Sequence, residues 1–172
     1  MVSRQLLRSC QATADALPLR EPYGSAQLVE DLAGARGRPI HIMPLPWLDG
    51  PSLPCGVWIA TGDTDYVFIA KGATGVHREQ IVLHEVGHIV CGHGSAGSSE
   101  LLEQLMPNIN PATIHRVLSR SSYTQPQERE AELVATLTLA RMSRLAPAAR
   151  RTSGTGLDAA LGRLDRALGA DE

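Results

Sequence analysis

Aromatic side chains are few: two Trp, three Tyr and one Phe make up 3% of the chain. A core therefore has to be assembled mainly from aliphatic residues. A surplus of either charge is also lacking. The formal net charge of −2 gives no general attraction to nucleic acid or anionic lipid, so neither is a default partner. Lysine is nearly missing, with Lys71 alone among sixteen basic residues, and this bias carries no functional weight. Cysteine is confined to Cys10, Cys55 and Cys91, an odd number, far apart and without a CxxC pair. That pattern excludes a dense disulfide scaffold and fits reduced thiols in a cytoplasmic protein. The opening MVSRQLLRSCQATADALPLR is broken by charged and polar residues and lacks the apolar stretch of a signal peptide. No apolar run elsewhere is long enough to span a bilayer. With 172 residues, one domain can bury a core of its own.

What is present is periodicity. Leu6, Leu7, Cys10, Ala14 and Leu17 recur at three- and four-residue intervals, which predicts an amphipathic helix ended by Pro18. A second helix is expected from Ser25 as cap, with Leu28, Val29 and Leu32 inward and a stop between Gly34 and Gly37. From Pro39 the texture turns β-branched and aromatic, predicting strands at 40–43, 55–60 and 66–70. Helix follows over 76–93. Another is expected from Asn110 as cap with Pro111 at its first position. A third begins at Thr124, where Gln127 completes a capping box, and runs to about Arg144. Pro147 stops it, and PAARRTSGTG reads as a hinge. The expected organisation is one domain over 1–146, a hinge over 147–156 and a last amphipathic helix over 157–172 carrying Leu157, Leu161, Leu164 and Leu168. The fold class is α+β, mainly helical, with a small three-stranded sheet beside the helix that follows it.

That helix carries HEVGH, His84 to His88. Two histidines four residues apart share one helical face, so both imidazoles can reach one ion. Val82, Val86, Ile89 and Val90 occupy the opposite face, where apolar packing would hold the ligand rotamers. Zinc, one ion per chain, fits best, since imidazole is a favoured ligand and three protein ligands leave a position open for water. Glu85, between the histidines, can take a proton from an attacking water, the logic of peptide-bond hydrolysis. The bland alternative is a chance HExxH on an ordinary helix.

Three groups compete as third ligand. His93 is out of step with the HExxHxxGxxH spacing. Glu100 and Glu103 sit on a short amphipathic segment that could equally be a solvated face. Glu128 belongs to QEREAELVA, where Glu128 and Glu132 share a face and Glu130 lies on the far side. One carboxylate of that pair could bind the metal while the other orients a histidine. Small Ala131 and Ala135 would let two helices approach. A charged first turn is also favourable to the helix dipole without any function.

HEVGHIVCGH followed by Glu128-x-x-Ala131 resembles the ImmA/IrrE family of metallopeptidases, related in active-site plan to thermolysin-like enzymes. The resemblance covers roughly residues 25–144 and is strongest at the two helical motifs. It implies His84 and His88 as ligands, Glu128 as the third, Glu85 as catalytic base, and a helix-turn-helix transcriptional repressor as the usual substrate. Tyr123 and His93 are candidates to stabilise the transition state, and Glu132 to support a ligand. His77 falls on the metal face but reads as a rim residue. The strand at 66–70 is a candidate for pairing with an extended substrate, and the insert 94–123 for a lid or partner surface. The reading is a cytoplasmic zinc endopeptidase acting on a protein substrate, with no direct nucleic-acid or membrane partner. The alternatives are a non-catalytic zinc-containing interaction module, toxin-like or from a mobile element, and a helical regulator with a fortuitous motif. Glu85 favours the enzyme, because a purely structural site needs no base.

Overall fold

The computed structural model describes residues 3–45, 55–93, Leu105, the backbone of 114–119, and 124–146. It is α+β and mainly helical. Helix α1 (Arg4–Ala16) is capped by the Ser3 hydroxyl, which accepts the Leu6 N–H at 3.1 Å. Helix α2 (Ser25–Arg36) has Gly24 and not Ser25 as its cap; the Ser25 N–H donates instead to the Glu79 carboxylate at 2.7 Å. Gly37, at φ 61°, ends α2 in the left-handed region.

Strands β1 (Ile40–Pro44), β2 (Gly56–Thr61) and β3 (Asp65–Ile69) realise the three expected strands. They are followed by helix α3 (Gly75–Val90), strand β4 (Ile114–Ser119) and helix α4 (Gln125–Leu145). The α4 start is the capping box expected at Thr124 and Gln127. Two expectations are corrected. Helix was expected to run on from Asn110, but 114–119 is a strand paired antiparallel with β2. Pairing there satisfies the outer hydrogen-bonding edge of β2, a gain that no local helical preference of a short segment matches. Second, the strand proposed to accept substrate by edge pairing is internal: the order is β1-β3-β2-β4, so both sides of β3 are already bonded. Among the described residues the edges are β1 and β4. Asn110 and Pro111, the hinge 147–156 and the helix 157–172 lie outside the described residues.

The inner strands are buried on both faces: β2 throughout, and β3 except for the partly buried Tyr66. Trp58, Ala60, Val67 and Ile69 face the helices, packing with Val82, Val86 and Ile89 of α3. Val57, Ile59 and Phe68 point the other way, against Leu45 and Leu105. Each such aliphatic side chain, fully buried, contributes about 1.5–3 kcal/mol. At the sheet's end, Asp65 is fully buried and accepts hydrogen bonds from Arg36 (2.7 Å), Arg38 (2.9 Å) and the Trp58 indole (2.9 Å). Its charge is thereby paired and not stranded. Among the described residues no helix is long and apolar enough to cross a membrane.

Helices α3 and α4 make the most extensive contact between elements. They cross at Gly87, where an added Cβ would lie 2.8 Å from the Ala131 carbonyl oxygen and 3.0 Å from its Cα. Ala131 is fully buried. The glycine inside HEVGH and the alanine three residues after Glu128 therefore set the spacing of the two motif helices. Because the obstacle is backbone, Gly87→Ala must push the helices apart, costing about 1–3 kcal/mol. We expect a lowered thermal midpoint together with weakened metal binding, measured by calorimetry and by competition with a chelator.

Candidate metal centre

Apolar residues hold α3 against the sheet through one face and leave His84 and His88 on the side that meets α4. The spacing of four residues turns both Nε2 atoms to one point, 3.1 Å apart. Across the helix crossing, Glu128 brings Oε2 to 3.6 Å from His84 Nε2 and Oε1 to 3.4 Å from His88 Nε2. One donor atom from each of His84, His88 and Glu128 lies within 4.8 Å of the others. These three residues could hold a metal ion.

The outward nitrogen of each imidazole also has a partner. His84 Nδ1 lies 3.4 Å from Glu132 Oε2, and the Gln80 amide donates to Glu132 Oε1 at 3.3 Å. His88 Nδ1 lies 2.9 Å from His93 Nδ1. Burial disfavours a charged His84, but the hydrogen bond to Glu132 and the charges of Glu85, Glu128 and Glu132 outweigh it and raise its pKa. His88 is fully buried, and burial followed by the neighbouring His84 and His93 lowers its pKa to about 2. It is neutral at any ordinary pH, as a ligand must be.

Glu85 is buried, and it lines a cavity with His77, Gln80, Ile81, His84 and Glu132 from the helices and Cys55 and Gly56 from the start of β2. A Cβ at Gly56 would come within 2.5 Å of Glu85 Oε1 and 2.9 Å of Ile81 Cγ2. Only glycine lets β2 pass this close to the carboxylate. Nothing local in the sequence signals that requirement, since the contact joins residues nearly thirty positions apart.

His84, Glu85, His88, Glu128 and Glu132 are thus brought together. His93 is not at the mouth of the cavity, where a transition-state group would act. It sits behind His88, buried, with its Nε2 3.2 Å from Glu130 Oε2. Glu130, on the far side of its helix from Glu128, makes its contact there. His77 is exposed and lines the cavity wall, as a rim residue would. Tyr123, Glu100 and Glu103 lie outside the described residues.

Cys91, His93 and Glu130 form a second group whose donor atoms lie within 4.8 Å of one another. Burial, then the charge of Glu130, then Cys10 push the Cys91 thiol up to about 12. Burial and Glu130 raise Cys10 to about 11. Both sulfurs are therefore protonated thiols at neutral pH, the inert form. Set against known proteins, the chain matches no family model and no curated protein.

Proposed function

We propose that this chain is a zinc-dependent endopeptidase of the ImmA/IrrE kind, with His84, His88 and Glu128 as ligands and Glu85 as general base. The observation that carries the reading is the convergence of two imidazole nitrogens and one carboxylate beside a buried glutamate that opens on a cavity. Ligand bonds of 2.0–2.1 Å in a tetrahedron put donor atoms about 3.3 Å apart. The two imidazole nitrogens, 3.1 Å apart, are close to that value, and the Glu128 carboxylate faces both, with Oε1 3.4 Å from His88 and Oε2 3.6 Å from His84. The donor set, two imidazoles and a carboxylate with a position left open, suits catalytic zinc better than a closed structural site. Bound there, zinc supplies Lewis acidity to water and to the scissile carbonyl.

The protein's own groups do the rest. Glu85 accepts the proton of the attacking water at its carboxylate and passes it to the departing amine. Gln80 and Glu132 hold His84 so that its Nε2 lone pair faces the centre. Among the described residues strand β4 is an edge, and Ser119 is paired with Val57, next to Gly56, which lines the cavity that holds Glu85. An extended substrate segment would add to β4 by backbone pairing. The substrate class, a helix-turn-helix repressor in the cytoplasm, rests on the resemblance of the two helical motifs.

The test is metal content and cleavage together. The purified protein is expected to carry about one zinc per chain by mass spectrometry and to cut a helix-turn-helix repressor encoded beside its gene, with chelation stopping the cut. Repressor binding without any cut, in the presence of zinc, would favour the non-catalytic interaction module instead.

A further inference from the structure

The motif helix ends in a way that carries His93 back onto His88. Gly92, at φ 66°, is left-handed; its N–H donates to the Ile89 carbonyl at 3.3 Å, and the His93 N–H donates to the His88 carbonyl at 3.1 Å. This is a Schellman ending, which turns the chain sharply and closes two of the helix's last carbonyls. The side chain of His93 is thereby stacked edge-on against His88, with ring centres 5.0 Å apart. Its two nitrogens are engaged at both ends, by His88 Nδ1 at 2.9 Å and by Glu130 Oε2 at 3.2 Å.

Helical phase explains why Glu130 reaches this side. At about 100° per residue, Glu128 and Glu132 fall about 60° and 100° to one side of Ala131, the point of helix contact, and Glu130 about 100° to the other. The carboxylates of α4 thus straddle the α3 crossing. Glu128 faces the inner nitrogens of both histidines, Glu132 meets the outer nitrogen of His84, and Glu130 closes from behind on His93.

We propose that His93 and Glu130 are positioning residues that fix the tautomer of His88, through the chain His88 Nδ1–H to His93 Nδ1 and His93 Nε2–H to Glu130. The inference rests on the metal-ligand assignment in the proposed function, but not on peptidase activity. The direction follows from proton counting. A ligand at His88 Nε2 needs a lone pair there, which puts the proton of the neutral ring on Nδ1. His93 must then accept at Nδ1, so its own proton resides on Nε2, where only an acceptor can face it. A carboxylate is such an acceptor. Support of this type keeps the imidazole oriented and raises its basicity as a ligand.

The same counting decides the role of the Cys91, His93 and Glu130 group. Ligation through His93 Nε2 would force the His93 proton onto Nδ1, directly opposite the protonated Nδ1 of His88. Two N–H groups would then meet at 2.9 Å. With His88 bound to metal, this group is a proton-ordered support and not a second metal site.

The experiment measures zinc stoichiometry and zinc affinity, by competition with a chelator, for the full chain and for Glu130→Ala, Glu130→Gln, His93→Ala and the double variant Glu130→Ala/His93→Ala. Thermal melts of the metal-free forms report folding separately. We expect one zinc per chain and a ten- to hundredfold loss of affinity in Glu130→Ala and in His93→Ala. The double variant should lose no more than His93→Ala alone, because both act along one chain. Glu130→Gln should stay within a few-fold of wild type, since its amide oxygen still accepts from Nε2–H. Glu130 is partly exposed, so Glu130→Ala keeps the test sound should His93→Ala fail to fold. Unchanged affinity in Glu130→Ala, or Glu130→Gln as weak as Glu130→Ala, overturns the inference while leaving the zinc reading intact. Two zinc ions per chain, one of them lost in Cys91→Ser, would overturn it in favour of a second metal site. A wild-type chain that binds no zinc removes both readings.

Discussion

Glu85→Gln is expected to retain one zinc per chain and the wild-type fold while losing about a hundredfold to ten-thousandfold in the rate of repressor cleavage, the range for removal of a general base. Glutamine preserves the shape that β2 has been built around: Gly56 leaves room for this side chain and little more. The amide can still hydrogen-bond to water but cannot take its proton near neutral pH. The loss should therefore fall on turnover, with substrate binding and metal content unchanged. Gel and intact-mass analysis of the repressor, beside metal analysis of the variant, separates these quantities. A variant that cuts as fast as wild type would remove Glu85 from the mechanism.

His88→Ala should abolish stoichiometric zinc, and of the three ligand substitutions it should also cost the most stability. The ring is fully buried, and His84, His93 and Glu128 all lie around it. Its removal takes one of only three protein donors and leaves the Glu130–His93 chain with nothing to support. The affinity loss should exceed the ten- to hundredfold expected for a change outside the ligand set. His84→Ala should likewise empty the site, with a milder effect on folding because that side chain is partly exposed. Metal analysis after dialysis checks both, and full zinc in both variants would dismiss the centre. Glu128→Ala tests the proposed third ligand in the same assay: strong loss is expected there, a smaller one in Glu132→Ala, whose carboxylate meets His84 at its outer nitrogen.

Much of the candidate centre follows from local sequence. A histidine pair four apart, a glutamate between them and an apolar opposite face are all relations within two helical turns, and helical geometry converts them directly into a shared face. The start of α4 was legible for the same reason, since Thr124 and Gln127 satisfy each other's backbone locally. Glu132 could be assigned to support a histidine because it shares a face with Glu128.

Glu130 falls on the far side by that same reasoning, and the structure keeps it there, against His93. Helical phase puts it away from Glu128, but it does not say that the far side of the stripe is also occupied by α3 and its returning His93. Only the crossing at Gly87 and Ala131 decides that both flanks of α4 meet histidines. Strand β4 is the other case: the run from Ile114 to Ser119 carries no local signal strong enough to reject a helix, and its strand character comes from the open edge of β2. Which residues can present nitrogen and carboxylate donors on a common face follows from the order of residues, because those relations are short-range and periodic. Contacts between segments distant in the chain settled the rest: which donors meet across helices, which glycine lies against Glu85, and which strands are edges among the described residues.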